Sequence, residues 1–104
     1  MKTRILFAGA MAATLAVAAT PAAAQDVRYL AANCANCHGT DGRAAEGGGM
    51  PALAGLSRAY LIEQINAMRS GAREATIMHQ LSKGYTDAQI SALADYFSQQ
   101  KPNR

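Results

Sequence analysis

The stretch from residue 39 to residue 56 constrains the fold more than any other part of the chain. Its eighteen residues include six glycines and one proline: Gly39, Gly42, Gly47, Gly48, Gly49, Pro51 and Gly55. This many residues that break regular structure exclude a continuous helix, and no alternation of apolar and polar residues suggests a strand. A loop of this length is uncommon in a small domain unless it wraps around something. The sequence therefore predicts that this loop wraps around a bound group or another part of the protein.

Residues 1–24 have the features of a cleaved secretory signal peptide. Lys2 and Arg4 are followed by an apolar or small-residue run, and three alanines precede the expected cleavage point. A retained membrane anchor is the alternative, but a run this rich in alanine is less apolar than a span requires. We expect residues 25–104 to form one mature domain in the periplasm.

The predicted cleavage changes what the composition implies. The formal net charge falls from +3 to +1, and 80 residues remain, with few large apolar side chains among them. The small charged fraction, 16%, argues against a disordered tail or a nucleic-acid-binding arm. A hydrophobic core this small needs a further stabilising element, which can be a disulfide, a metal or a cofactor.

The remaining pattern predicts an all-α domain of three to four helices with long loops. A first helix is expected over residues 27–35, with Asp26 as its N-cap. A second helix over residues 57–70 begins at Ser57 and ends before Gly71. One short turn is expected within residues 76–83. The last helix opens with the capping-box spacing Thr86-Asp87-Ala88-Gln89 and runs to about residue 99.

The segment Cys34-Ala35-Asn36-Cys37-His38 has the C-x-x-C-H spacing that attaches haem c covalently. Two thiols three residues apart on a helical turn can each add to a haem vinyl group, and the following histidine can bind the iron. Haem would also supply the apolar centre that the composition lacks.

Three other interpretations of this segment remain open. A zinc site needs four ligands, and His79 is the only other strong candidate in the chain. A thioredoxin-like redox pair expects neighbouring strands, and none are predicted. A structural disulfide between Cys34 and Cys37 would suit an exported protein, but it explains neither His38 nor the long loop.

With these residues in view, the chain resembles a class I c-type cytochrome over essentially all of residues 25–104. The segment Gly49-Met50-Pro51-Ala52-Leu53-Ala54-Gly55 is similar to the family's segment after the haem-binding motif. The resemblance implies the class I cytochrome c fold around one covalently bound haem, with the first and last helices crossing. It also implies that the Pro51 carbonyl accepts a hydrogen bond from the His38 ring.

By the same resemblance Met78, in a loop forty residues after His38, is the second axial ligand. A thioether ligand raises the reduction potential relative to a second histidine. The neighbouring His79 is the main alternative, Met50 and Met68 are further ones, and an iron without a sixth protein ligand is the last. Arg73 is a candidate contact for a haem propionate, and an ordinary surface charge is equally compatible with its position.

The implied function is electron transfer without a catalysed reaction. A haem enzyme or gas-binding protein with an open distal position is the alternative class. Within the family, the segments 48–55, 71–73 and 78–87 are most similar to the cytochrome subunit of flavocytochrome c sulfide dehydrogenase. That similarity implies a sulfide-oxidising flavoprotein subunit as the redox partner. A stand-alone carrier serving several donors is the other interpretation, and neither involves nucleic acid or a membrane span after cleavage.

Overall fold

The computed structural model describes Gly9 and residues 27–103. In this part of the chain four helices follow one another: α1 (Val27–His38), α2 (Arg58–Ser70), α3 (Met78–Leu81) and α4 (Asp87–Ser98). Two 3₁₀ turns, Thr40–Gly42 and Ser82–Gly84, complete the regular structure, and these residues contain no strand. The all-α prediction is therefore confirmed. The predicted signal peptide and the Asp26 cap lie outside the described residues, except for Gly9.

Helix α1 is longer than the sequence pattern predicted. It continues past residue 35 to His38, so both cysteines and the histidine lie on the helix itself. No proline or glycine interrupts the chain until Gly39, whose φ of 79° ends the helix. The predicted end was wrong because Asn36 and Cys37 are poor helix formers but do not break a helix that is packed on one side.

The predicted ends of α2 and α4 are confirmed. Ser57 Oγ accepts a hydrogen bond from the Tyr60 amide at the start of α2, and Gly71, with a φ of 84°, closes it. Thr86 and Gln89 form a complete capping box at the start of α4, with each side chain bonded to the other residue's backbone amide. These caps satisfy amides and carbonyls that have no partner within the helix.

Helix α4 is at the centre of the packing. Helices α1 and α2 both pack against it, and α3 packs against α2. The core cluster comes from these three longer helices: Leu30, Ala31, Leu61, Leu93, Ala94 and Phe97. Small Ala31 and Ala94 are 5% and 1% exposed, which lets α1 and α4 approach closely. On α2 only Leu61 is buried, and Ile65 and Met68 are half-buried.

The glycine-rich stretch is irregular apart from its 3₁₀ turn, and it is held in place rather than loose. The Leu53 amide donates to the Gly42 carbonyl (2.8 Å), which doubles the loop back on itself, and the Gly55 amide donates to the Phe97 carbonyl on α4 (2.9 Å). The described helices are too short or too polar to traverse a bilayer. The loop and the end of α1 together form the part of the fold where the predicted site lies.

Candidate functional site

The last turn of α1 brings together the three residues of the C-x-x-C-H segment. Cys34, Cys37 and His38 are spaced i, i+3 and i+4, so they lie on neighbouring positions of one helix face. His38 is buried, with 7% of its surface exposed. Cys34 is half-buried and Cys37 is exposed. The two thiols therefore flank a histidine that is shielded from solvent.

Both cysteines are free thiols and are not bonded to each other. Burial raises the pKa of the Cys34 thiol, and a backbone hydrogen bond opposes that rise. Cys34 Sγ lies 4.0 Å from the Leu30 carbonyl, to which it donates. Cys34 and Cys37 are the residues that would hold a haem covalently through thioether bonds.

The Pro51 carbonyl lies against the His38 ring, as the family resemblance implied. Pro51 O is 2.7 Å from His38 Nδ1, and the ring nitrogen is the donor because a carbonyl can only accept. With the proton on Nδ1, Nε2 keeps its lone pair. A hydrogen bond of this kind fixes the tautomer and the orientation of a metal-binding histidine.

The loop between these two residues depends on Gly42. Its φ is 76°, and its carbonyl accepts the amides of Leu53 (2.8 Å) and Ala54 (3.2 Å). A Cβ at this position would lie 2.8 Å from the Phe97 ring, closer than real contacts allow. Only glycine permits this backbone conformation and this close approach.

A second set of contacts on the same loop was not predicted from the sequence. The Tyr96 hydroxyl on α4 donates to Asp41, and Arg43 forms an ion pair with the same carboxylate (3.1 Å). The pKa of Asp41 is lowered, chiefly by the Tyr96 hydrogen bond and also by Arg43, whereas that of Tyr96 is raised. Tyr96 and Asp41 are 55 positions apart. No local pattern could have paired them.

Two of the candidates for a second axial ligand lie in α3, and the other two lie elsewhere in the fold. Met78 begins α3 and is half-buried, and His79 follows it with its Nδ1 buried and without a hydrogen-bond partner. Met50 is 41% exposed in the glycine-rich loop, and Met68 is half-buried on α2. Met78 and His38 lie on different helices. Helix α1, which carries His38, packs on α4, whereas α3 packs on α2, which in turn packs on α4.

Arg73 lies just beyond the end of α2 and turns back onto that helix. Its Nη1 donates to Gln64 Oε1 at 2.6 Å, and its backbone amide donates to Ala67 O at 3.0 Å. Arg73 and His79 line one cavity of about 570 Å³ together with Gly71, Glu74, Ala75 and Thr76. The guanidinium is thus held close to the segment that carries Met78.

The chemistry of these residues fits a covalently attached haem. Two free thiols on one helix face flank a buried histidine whose remaining lone pair is on Nε2, and a loop that only glycine permits folds over it. Among the described residues, no cluster of three or more histidine, cysteine, aspartate and glutamate side chains has an arrangement suited to a metal ion.

Comparison with known proteins agrees with this geometry. A family model described as cytochrome c matches residues 24–101. The thiosulfate dehydrogenase electron acceptor of Thiomonas intermedia is 41% identical over 73 residues, covering 70% of this chain and 34% of that protein. The cytochrome subunit of sulfide dehydrogenase of Chlorobaculum tepidum is 37% identical over 68 residues, covering 65% of this chain and 60% of that protein.

A solved structure supports the fold. A cytochrome c4 of Acidithiobacillus ferrooxidans, whose description concerns complex-induced tuning of electron transfer, superposes with a TM-score of 0.57. It is 42% identical and the match covers 62% of this chain and 37% of that one. The chain thus spans between about one third and three fifths of the length of these relatives.

Proposed function

The chain belongs to the cytochrome c family, and we propose that it is a periplasmic electron-transfer protein whose single haem c is ligated by His38 and Met78. Its relatives are named as an electron acceptor and as a cytochrome subunit, which supports an electron carrier rather than an enzyme. The haem iron supplies one-electron chemistry, Fe(II) to Fe(III) and back. The protein's part is to attach the group, fix its axial ligands and limit its contact with water.

The observation that carries the proposal is the hydrogen bond between His38 Nδ1 and Pro51 O, 2.7 Å long, beside two free thiols. Cys34 and Cys37 would hold the haem covalently to the last turn of α1. The Pro51 carbonyl keeps the His38 proton on Nδ1, so that the lone pair on Nε2 would be directed at the iron.

Met78 is favoured over His79 by its place in the family pattern, since both residues lie in the first turn of α3 and both are half-buried. Successive residues of an α-helix point about 100° apart, so only one of the two side chains can be directed at a given point. Met78 is the first residue of α3, directly after the irregular segment 71–77, and it is half-buried. A six-coordinate iron leaves no open position for substrate chemistry.

Three alanine variants test the ligand. A methionine-ligated ferric haem has a weak absorption band at the red end of the spectrum. We expect Met78→Ala to lose this band and to bind carbon monoxide rapidly when reduced. Met68→Ala and His79→Ala should keep the band and resist carbon monoxide as the wild type does. Retention of the band in Met78→Ala would refute the assignment.

We further propose that the electron donor is a sulfide-oxidising flavoprotein subunit. The support is the 37% identity to the cytochrome subunit of sulfide dehydrogenase, over 60% of that subunit's length. A stand-alone carrier for several donors is the alternative. Purification from the native source, followed by a flavin assay, separates the two. A stoichiometric flavoprotein supports the first, whereas a free monomer without flavin supports the second.

The periplasmic location depends on residues 1–24 being a cleaved signal peptide, with 25–104 as the mature cytochrome c domain. The support is the sequence pattern alone. Mass spectrometry of the protein from a periplasmic extract should give a chain that begins at Gln25 and carries one haem. A cytoplasmic chain beginning at Met1 would contradict this part of the proposal.

A further inference from the structure

The C-terminal part of the chain forms several hydrogen bonds with the loop that follows His38. The Tyr96 hydroxyl donates to Asp41 Oδ1. Arg43 Nη1 contacts Asp41 Oδ2 at 3.1 Å, and Arg43 Nε donates to the Lys101 carbonyl at 2.7 Å. One turn of the loop is therefore tied to α4 and to the segment beyond it by side chains whose partners are more than fifty positions away.

The tie extends to the next residue of the loop. Asn103 Nδ2 donates to the Ala44 carbonyl at 3.0 Å, and Ala44 is buried. Residues 41–44 thus each contact α4 or the segment after it, since the Phe97 ring lies beside Gly42. A loop otherwise rich in glycine is held along four consecutive residues.

Asp41 has a backbone conformation that needs such support. With φ 54° and ψ 26°, it is the one non-glycine residue of the described chain in the left-handed region. Both of its carboxylate oxygens are bonded, one to Tyr96 and the other to Arg43. The same contacts keep the pKa of the carboxyl low and that of the phenol high, so the proton stays on Tyr96.

The position of Asp41 determines where the Pro51 carbonyl lies. Gly42, the next residue, accepts the amides of Leu53 and Ala54, which follow Pro51 closely along the chain. Pro51 in turn accepts the His38 ring proton. The contacts therefore run from Tyr96 through Asp41 and Gly42 to Pro51 and the His38 imidazole.

We propose that Tyr96 and Asp41 are positioning residues for the His38 ligand, and that they tune the reduction potential by holding the Pro51 carbonyl on the His38 ring. This inference rests on the proposed function, because it takes His38 as an iron ligand. A hydrogen bond to the second ring nitrogen makes a histidine ligand more basic. A more basic ligand stabilises ferric iron, so loosening this bond should raise the potential.

The test uses Tyr96→Phe in the haem-loaded protein. This variant keeps the ring that lies edge-on to Phe97, with centroids 5.3 Å apart, and removes only the hydroxyl. We expect a higher midpoint potential and a several-fold faster exchange of the His38 Nδ1 proton with solvent, measured by NMR on the reduced protein. The midpoint potential separates a positioning role from a loss of stability, because destabilisation alone speeds proton exchange through unfolding but leaves the potential of the folded protein unchanged.

Two variants that should leave the reduction potential and the exchange of the His38 proton unchanged serve as controls. Ser91→Ala removes the other side-chain hydroxyl of α4 that bonds to a neighbouring element, the acceptor of the Arg58 guanidinium on α2. Tyr29→Phe removes a phenol hydroxyl on α1, where the side chain is 72% exposed. Both should keep the wild-type potential and proton exchange, even where the midpoint of chemical unfolding moves.

Variants of Asp41 separate the hydrogen bond from the charge. Asp41→Asn keeps an oxygen for the Tyr96 hydroxyl and should retain slow exchange of the His38 proton. Asp41→Ala should exchange as fast as Tyr96→Phe, and the double variant should be no faster, because both changes break the same link. A Tyr96→Phe protein indistinguishable from Ser91→Ala in potential and exchange would overturn the inference alone. A wild-type chain that matures without covalent haem would overturn the proposed function as well.

Discussion

Gly42 lies where the loop after His38, the Leu53 segment and α4 meet, and it offers a quantitative test of this packing. An alanine Cβ there would lie 2.8 Å from the Phe97 ring, 2.9 Å from the Ala54 nitrogen and 2.9 Å from the Leu53 Cβ. At least one of these is backbone, which cannot turn aside. Its φ of 76° adds backbone strain of its own.

The expected loss of stability in Gly42→Ala follows from three contributions. A left-handed conformation costs a non-glycine residue about 1–2 kcal/mol. Overpacking in a close-packed region costs about 1–3 kcal/mol more. Against these, replacing glycine restricts the unfolded chain and returns about 0.4–1 kcal/mol. We therefore expect a loss of about 2–4 kcal/mol, a large part of the stability of a domain this small.

Two other glycines isolate these contributions. Gly47 has a φ of 73°, but a Cβ at this position would have no atom within 4 Å, so Gly47→Ala should lose only about 1 kcal/mol. Gly84 has neither the positive φ nor a close neighbour, so Gly84→Ala should gain about 0.5 kcal/mol. Guanidinium unfolding of the haem-loaded proteins, followed by far-ultraviolet circular dichroism, measures all three. A Gly42→Ala protein within about 0.5 kcal/mol of Gly47→Ala would refute the close approach to Phe97.

Three further outcomes are expected. The Tyr96 hydroxyl keeps the pKa of Asp41 low, so folding stability should fall as the pH drops below about 4; the same bond raises the pKa of Tyr96, so stability should also fall above about pH 10. Tyr96→Phe should flatten both limbs in urea unfolding series, and unchanged limbs would contradict this origin. Thr86→Ala should cost about 1 kcal/mol by calorimetry, since it breaks the capping box of α4, and no loss would exclude that cap in solution. Arg58→Gln should cost less than about 1 kcal/mol, because its ion pair with Asp95 (3.1 Å) is about half exposed, and high salt should reduce the difference from wild type by screening that pair.

The features that sequence could predict are local ones. A capping box involves residues three apart, so Thr86 and Gln89 indicate the start of α4 directly, as Ser57 and Gly71 mark the bounds of α2. The C-x-x-C-H spacing likewise fits within one helical turn. The end of α1 was misjudged because tertiary packing, which no local pattern records, carries the helix to His38.

The remaining features depend on residues that are distant along the chain. The contact of Pro51 with His38 spans 13 positions and came from family resemblance, not from the physics of the residues themselves. The bond from Tyr96 to Asp41 spans 55 positions and joins a helix to a turn. A helix tyrosine and a turn aspartate are both ordinary on their own, and only the fold shows that they meet.

The central place of α4 explains how the fold could hold the two proposed ligands, His38 and Met78, in fixed positions. The loop that sets His38 is tied to α4 through Tyr96 and Phe97. The helix that supports α3, and with it Met78, packs on α4 through Leu61 and is joined to it by Arg58 and Arg69. The loop beside His38 and the helix that carries Met78 are thus both positioned relative to α4, directly in the first case and through α2 in the second. Because the ion pair of Arg58 is about half exposed and such pairs contribute little, substitution of Arg58 should disturb the proposed ligands less than substitution of Tyr96.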